Sequence, residues 1–238
     1  MNPLRHTFIS RCRATANTST TASLEPPQLR YLDIGCGGGI FAESAARLKG
    51  TRSVTAIDPS PEVLRIAEEH RRRDPALVGK GEGGGEGKLT YLGMGIEDLK
   101  GYKAGVKGAD GQEGYDIVTL FEVLEHVNAP GPFLEHVLQH VKPGGWLVLS
   151  TIARTWTSWL VTNVVAEDVL GIVPKGTHEW AKYVNESELR EWFAKKQGWG
   201  GNGGVQAMGV VYVPGLGWKE VNGGEAWGNY FFGIRKEG

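Results

Sequence analysis

The stretch that most constrains this chain is Tyr31–Ala42, where a short apolar run leads into four glycines and then into an alanine-rich helical pattern. The glycines Gly35, Gly37, Gly38 and Gly39 fall within five positions. Glycine is favoured where the backbone needs a positive φ, or where a neighbour must approach more closely than a Cβ allows. A strand that turns directly into a helix N-terminus leaves N–H groups unpaired. The pattern predicts strand, tight turn and helix, with a ligand held at the turn.

The remaining apolar runs continue this alternation of strands and helices. Such alternation indicates an α/β fold, with a mostly parallel sheet and helices on both faces. The last two strands follow each other without a long helix, which predicts an antiparallel hairpin at one edge of a seven-stranded sheet. The predicted strands are 30–34, 53–57, 89–92, 115–121, 146–151, 205–213 and 229–235; the predicted helices are 1–14, 40–48, 61–73, 132–140 and 187–196.

Length and charge restrict the class of protein. The 238 residues suit a single domain over 1–238, with an N-terminal helix and linker at 1–29 and an aromatic-rich insertion at 154–182. The formal net charge of −1 gives no electrostatic case for nucleic acid as a partner. Two cysteines, Cys12 and Cys36, do not make a disulfide framework, which favours a reducing compartment.

The glycines permit two cofactors. Residues 37–42 fit the G-x-G-x-x-G/A fingerprint of dinucleotide-binding proteins, whereas residues 35–39 fit the G-x-G-x-G loop of S-adenosylmethionine (SAM) methyltransferases. Asp33, two residues before the loop, suits the positively charged amino group of SAM and would repel a pyrophosphate. Asp58, at the end of the second strand, suits ribose hydroxyls in either case, or it caps the following helix. Asp33 favours SAM.

The wider set of motifs resembles class I SAM-dependent methyltransferases, which implies a Rossmann-like fold. Within that class it resembles the ubiquinone-biosynthesis O-methyltransferases, and nearly the whole chain takes part. The motifs are Leu32–Gly39, Asp58, Tyr115–Val118, Val123–Val127 and Val141–Gly145 for the class, and Asn2–Arg5, Phe121–Val127 and Val173–Trp180 for the narrower family.

The resemblance implies Arg5, Gly35, Asp58 and Phe121 as SAM contacts, with Arg5 paired to the SAM carboxylate. The loop pattern adds Asp33 and Gly37 to the predicted cofactor-binding residues. The chain departs from the family in two places. Met1 directly precedes the Asn2–Arg5 motif, where family members carry a further segment that covers the cofactor. Gly95 stands at the position of the usual adenine-binding acid, so Glu97, Asp98 or the backbone would substitute.

Glu122, Glu125 and His126 are the candidate catalytic and metal-binding residues. Their i, i+3, i+4 spacing predicts one helical face just past the fourth strand, at the edge of the sheet where ligands bind. Two carboxylates and an imidazole can hold a divalent cation, which lowers the pKa of a coordinated oxygen. His126 could instead act as a general base, or the acids could simply favour a helix start. The resemblance implies Mg²⁺ or a similar ion bound by all three, and Glu125 and His126 are the predicted catalytic residues.

The insertion at 154–182 carries Trp156 and Trp159 among many aliphatic residues and few charges. It is too short and interrupted to span a bilayer, and its tryptophans suit a membrane interface. The alternative is an ordinary cap over the active site. Lys175 and His178 are candidates for the acceptor pocket.

The glycine loop and Asp33 favour SAM, and the resemblance implies SAM-dependent O-methylation of a polyprenylated catechol or hydroxyquinol in ubiquinone biosynthesis. The resemblance implies a peripheral protein on the matrix side of the mitochondrial inner membrane in a eukaryote, with a biosynthetic protein complex as a partner. Three alternatives stay open: a methyltransferase with another small acceptor, an NAD-type oxidoreductase, and a catalytically inactive scaffold of a membrane-associated complex.

Overall fold

One eight-stranded sheet organises the molecule in the computed structural model, which describes residues 1–16, 28–78, 88–101, 113–154 and 182–238. The strand order is β3-β2-β1-β4-β5-β8-β6-β7. The strands are β1 Leu29–Ile34, β2 Thr51–Ile57, β3 Leu89–Leu92, β4 Tyr115–Phe121, β5 Val141–Ile152, β6 Val205–Val213, β7 Gly217–Val221 and β8 Asn229–Arg235. The first five are parallel neighbours, whereas β8 runs antiparallel to β5 and β6, and β7 runs antiparallel to β6.

Six α-helices and two short 3-10 helices accompany the sheet in the described ranges. The α-helices are α1 Asn2–Ala16, α2 Ile40–Ala46, α3 Pro61–Arg73, α4 Pro75–Val78, α5 Pro130–Leu138 and α6 Glu186–Ala194, and the 3-10 helices span Ile96–Gly101 and Leu124–His126. Pro61 and Pro130 open α3 and α5, where a missing N–H costs nothing. None of the helices in these ranges is long and apolar enough to cross a bilayer.

The sheet separates two apolar layers. On one face, Phe8 and Cys12 of α1 and Phe41 of α2 pack with Ile117 and Phe231 of the sheet. The other face packs against α5 and α6, and its core is built from the alternate sheet residues, among them Leu32, Val118, Leu149, Tyr230 and Phe232. Because both faces are covered, β4 is buried from Ile117 to Phe121, and Thr119 is the one polar residue in that run. This arrangement confirms the predicted class I α/β fold.

The predicted sheet differs from the observed one by a strand. Seven strands were expected, and β7 is the eighth. The predicted pairing of 205–213 with 229–235 is correct, since β6 and β8 are antiparallel neighbours. However, β7 lies between them in the chain and forms the edge hairpin with β6. Most of the predicted linker, 17–27, and of the predicted insertion, 155–181, lies outside the described residues, together with Lys175 and His178.

Candidate functional site

The glycine loop (residues 35–39) leaves β1 at the carboxyl edge of the sheet and leads into α2. Gly35 has a φ of 68°, and a Cβ there would lie 2.6 Å from Val123 Cγ2. Gly39 has a φ of 79°, and a Cβ there would lie 2.0 Å from the Tyr91 hydroxyl. Both positions therefore exclude a side chain for two reasons, backbone conformation and space. The loop is a compact turn fastened to β2, because the Gly35 N–H donates to the Ile57 carbonyl over 2.8 Å.

Asp33 lies beneath this loop, with only 2% of its surface exposed. The β1–β4 register places Asp33 opposite Thr119, and the Thr119 hydroxyl donates to Asp33 Oδ1 over 2.6 Å. Burial raises the pKa of Asp33 to about 7, although Thr119 and the positive charge of Arg5 oppose the rise. A buried acid that is this reluctant to ionise gains from a cationic ligand.

Asp58 connects the glycine loop to the start of α3. Its Oδ2 accepts from the Gly37 N–H over 2.9 Å, and its Oδ1 accepts from the Ser60 N–H over 2.9 Å. Asp58 thus fastens the glycine loop to the turn before α3, whose N-cap residue is Ser60 rather than Asp58, and the ribose contact stays a prediction. Its position past β2 is where a ribose would be bound in an open α/β fold.

The first turns of α1 bring Arg5 to the same edge. The Arg5 guanidinium carbon lies 4.6 Å from the centroid of the Phe121 ring, within reach of a cation–π contact. Burial lowers the pKa of Arg5, and the negative charges of Glu122 and Asp33 oppose that effect. Its Nε atom is buried without a hydrogen-bond partner, so the side chain retains a donor for an anionic group.

Gly95 marks the position where the family's usual adenine-binding acid is missing. A Cβ at Gly95 would lie 2.8 Å from Glu97 Oε2 and 3.9 Å from Asp98 Oδ2. The carboxylate of Glu97 thus occupies the space that a side chain at Gly95 would enter. Of the two acids named as substitutes, Glu97 lies closer to Gly95, and the adenine contact itself stays a prediction.

Glu122 and Glu125 form a carboxylate pair just beyond β4. Glu122 Oε1 accepts from the Ser150 hydroxyl over 2.5 Å, and Glu125 Oε2 accepts from the Thr151 hydroxyl over 2.8 Å. Asn229 Nδ2 lies 3.4 Å from Glu122 Oε2. Burial, followed by the charge of Glu122, raises the pKa of Glu125 to about 7. The carboxylate pair therefore holds a group that exchanges a proton near neutral pH.

The predicted helical face for Glu122, Glu125 and His126 is wrong. Glu122 precedes the helix with a φ of 58°, and only one 3-10 turn follows, over Leu124–His126. The turn buries Glu125 and leaves His126 exposed. Within the described ranges, no three His, Cys, Asp or Glu side chains group closely enough to hold a metal ion. The structure thus brings together two of the three predicted ligands, and the roles of all three stay predictions.

The sequence did not predict several polar residues of the site. Thr119 is a single hydroxyl within the apolar run of β4, and that interruption was the available signal. Ser150 and Thr151 end the apolar part of β5. Ser44 of α2 holds two side chains of α1, and no pattern in the sequence points to it.

Comparison with known proteins gives a consistent family. Residues 5–199 match the methyltransferase domain family. The ubiquinone biosynthesis O-methyltransferase of Xanthomonas axonopodis pv. citri is 34% identical over 217 residues, which cover 90% of this chain and 74% of that protein. The mitochondrial proteins of the same name are 41% identical in Candida albicans, over 90% of this chain and 60% of theirs, and 38% in Saccharomyces cerevisiae, over 88% and 61%. The chain spans about three fifths of these fungal relatives.

Solved structures with the same fold are more distant in sequence. The methyltransferase domain of bacterial CtHen1-C has a TM-score of 0.61 at 14% identity, over 100% of this chain and 98% of that one. Magnesium protoporphyrin IX methyltransferase from Synechocystis PCC 6803, with bound SAH, has a TM-score of 0.58 at 16% identity, over 99% and 83%. At such identities the likeness extends to the fold alone.

Proposed function

Because the chain belongs to the ubiquinone biosynthesis O-methyltransferase family, we propose that it transfers a methyl group from SAM to a hydroxyl of a polyprenylated catechol or hydroxyquinol. The observation that carries this proposal is the buried carboxyl of Asp33 beneath the glycine loop, with the partly buried guanidinium of Arg5 near enough for its charge to act on that carboxyl. One acidic and one cationic side chain beside a single loop suit a zwitterion. The methionyl end of SAM carries an ammonium and a carboxylate, whereas a pyrophosphate carries negative charge alone.

We assign the cofactor contacts as follows. Asp33 receives the ammonium, and Arg5 the carboxylate, for which its unpartnered Nε is available. Asp58 binds the ribose hydroxyls from its place past β2. Gly35 and Gly37 let the backbone approach the cofactor. Phe121 supplies an apolar wall, and Glu97 takes the place of the missing acid at Gly95.

The proposed reaction is an in-line displacement at the methyl carbon. The acceptor hydroxyl passes its proton to the carboxylate pair, and its oxygen forms the new O–C bond. The C–S bond breaks at the same time, and S-adenosylhomocysteine (SAH) leaves with the electron pair. A phenol has an unperturbed pKa of about 10, so a base with a pKa near 7 accepts its proton at neutral pH more readily than an ordinary carboxylate. Glu125 meets that requirement.

Magnesium assistance is an alternative route to the phenolate within this proposal, because a Glu125 carboxylate that bound the ion would lose the raised pKa that suits a base. Two adjacent carboxylates suit a divalent cation, which prefers oxygen ligands, and Glu122 and Glu125 would hold it. A bound cation would lower the pKa of a coordinated phenolic oxygen. The exposed side chain of His126 does not join that pair in the structure, so the two carboxylates are the part of the predicted ligand set that supports a metal.

We further propose a peripheral location on the matrix side of the mitochondrial inner membrane, in contact with a ubiquinone-biosynthesis protein complex. The eukaryotic relatives are named mitochondrial, and a polyprenylated acceptor would reside in a bilayer. The formal charge of −1 gives no support to nucleic acid as a partner. Flotation with liposomes, compared with and without a long-chain acceptor, tests the membrane contact.

The deciding experiment is a calorimetric titration with SAM, followed by methyl transfer to a short-chain prenylated catechol with and without Mg²⁺. We expect SAM binding and a methylated product. Stabilisation by NAD but not by SAM or SAH would favour an oxidoreductase. SAM binding without turnover on any catechol tried would favour the inactive scaffold. Full turnover in the presence of a chelator would contradict the metal and leave the methyl transfer standing.

A further inference from the structure

Ser44 of α2 is a hydrogen-bond centre between the glycine loop and α1. Asn2 Nδ2 donates to Ser44 Oγ over 2.9 Å, and His6 Nε2 lies 2.7 Å from the same oxygen. Ser44 Oγ itself donates to the Phe41 carbonyl over 2.9 Å. Asn2 and His6 are one turn apart, so a single hydroxyl holds the first two turns of α1.

The hydrogen bonds of this centre are mutually compatible when His6 carries a hydrogen on Nε2. A serine hydroxyl has one hydrogen and two acceptor sites. With its hydrogen directed to the Phe41 carbonyl, the Ser44 oxygen accepts from both Asn2 and His6. Burial and the charge of Arg5 lower the pKa of His6, which favours the neutral imidazole.

Arg5 lies between the two residues that Ser44 holds. The rings around it are in contact with one another: His6 stacks on Phe41 with their centroids 5.1 Å apart, and Phe41 meets Phe121 edge to face with their centroids 4.7 Å apart. The Arg5 guanidinium carbon lies 4.6 Å from the centroid of the Phe121 ring. The turn of α1 that carries Arg5 is thus held on two sides, by the Ser44 hydrogen bonds and by these ring contacts.

We propose that Ser44 is a positioning residue for cofactor binding, which aims Arg5 at the cofactor carboxylate by holding Asn2 and His6. Ser44 belongs to the helix that begins at the glycine loop, so it sets the distance between that loop and Arg5. The inference rests on the proposed function, in which Arg5 binds the carboxylate of SAM. Under this proposal Ser44 contributes to cofactor binding without touching the cofactor or the acceptor.

The test compares two probes that differ in the group Arg5 would bind. SAH carries the amino-acid carboxylate, whereas 5′-methylthioadenosine lacks the amino-acid portion altogether. Ser44→Ala removes both hydrogen bonds and should weaken SAH binding about tenfold, in line with one to two neutral hydrogen bonds. Binding of methylthioadenosine should stay within about twofold, because that probe has nothing for Arg5 to hold. The measurement is a calorimetric titration of each variant with each probe.

Three further variants separate positioning from general stability. Ser44→Thr keeps the hydroxyl and should restore most of the SAH affinity. Thr7→Ala is the matched control, since Thr7 is an exposed hydroxyl on α1 that donates only to Pro3 of its own helix, and it should bind SAH like the wild type. In an Arg5→Ala background, Ser44→Ala should cost no further SAH affinity, because residues that act as a unit are not additive.

The outcomes are distinguishable. Equal weakening of SAH and methylthioadenosine by Ser44→Ala, or additive losses in the Arg5→Ala background, would overturn the positioning role. So would unchanged SAH affinity in Ser44→Ala while the wild type binds. If the wild-type protein binds neither SAM nor SAH, the proposed function fails, and this inference fails with it.

Discussion

The glycine loop and the carboxylate pair lie at the same edge of the sheet but are built differently. The loop is a continuous segment, and its shape depends on the backbone at Gly35 and Gly39. The carboxylate pair is assembled from separate strands, with Ser150 and Thr151 of β5 as donors and Asn229 of β8 nearby. A loop made by local backbone should tolerate changes in distant side chains, whereas a pair held by side chains from neighbouring strands should not.

The largest effect is expected from Glu125→Gln. This change removes the proposed base while keeping its size, so turnover should fall by roughly 10²- to 10⁴-fold, with SAH affinity within about twofold of the wild type. Stopped assays of methyl transfer and a calorimetric titration measure the two quantities. His126→Ala is the informative comparison, because His126 is exposed. If His126→Ala loses turnover and Glu125→Gln does not, His126 is the base.

A change in the loop should act on the fold rather than on the chemistry. Gly39→Ala places a Cβ at a φ of 79° and 2.0 Å from the Tyr91 hydroxyl, and should lower the free energy of unfolding by about 2–4 kcal/mol. Urea unfolding measures the loss. Gly38→Ala is the control, since nothing lies within 4 Å of a Cβ there. Adding Tyr91→Phe should recover part of the steric loss, since the ring carbon Cζ still lies 2.8 Å from the added Cβ, and an unaltered midpoint in Gly39→Ala would contradict the account.

Cofactor binding at the glycine loop and turnover at the carboxylate pair should also depend on pH through different groups. In the free protein Asp33 has a pKa of about 7, raised by burial, so below that pH the incoming ammonium must displace a proton. The SAH dissociation constant should therefore rise up to about tenfold per pH unit below 7. Asp33→Asn should flatten this dependence. A wild-type dissociation constant that is flat between pH 5 and 8 would exclude Asp33 as the ammonium site.

The raised pKa of Asp33 also predicts how the stability of the free protein depends on pH. Between about pH 4 and 7 the folded protein keeps a proton on Asp33 that the unfolded chain has lost. The free energy of unfolding should then decrease as the pH rises through that window. Glu125 adds a change of the same sign, because its pKa is raised as well. Comparing urea midpoints of the wild type and Asp33→Asn at both ends of the window isolates the contribution of Asp33.

The smallest expected effects come from a matched pair of buried threonines. Thr119 donates to Asp33 and Thr151 to Glu125, and each bond favours the ionised acid. Thr119→Val should move the pH midpoint of SAH binding upward by up to about one unit and leave the pH profile of turnover in place. Thr151→Val should instead move the pH profile of turnover upward and leave the pH midpoint of SAH binding in place. If either variant shifted both the pH midpoint of SAH binding and the pH profile of turnover, the environments of Asp33 and Glu125 would be coupled.

The sequence predicted the parts of the molecule that depend on local pattern. The glycine loop follows from five consecutive positions, and β4 follows from an apolar run that only Thr119 interrupts between Ile117 and Phe121. Pro61 marked the start of α3 correctly. These features need no knowledge of what lies across the sheet, because backbone conformation and burial on both faces select the residues directly.

The features that were missed depend on register and on short segments. Ser150 reaches Glu122 because β4 and β5 pair with Phe121 opposite Ser150, and no single-strand pattern contains that register. The helical spacing of Glu122 and His126 was misleading because Glu122 takes a left-handed φ, which a glutamate seldom adopts. β7 has only five residues and lies in a glycine-rich stretch, where the pattern favours a loop.

The short β7 also bears on how the protein behaves at high concentration. It is one of the two edge strands of the sheet, β3 being the other, so its outer row of N–H and C=O groups could pair with a strand of another chain. Lys219 and Glu220 stand exposed on it, and Glu220 forms an ion pair with Arg11 of α1. Because charged side chains on a short edge strand oppose such pairing, we expect β7 to disfavour strand addition next to the exposed Val211 and Tyr212 of β6.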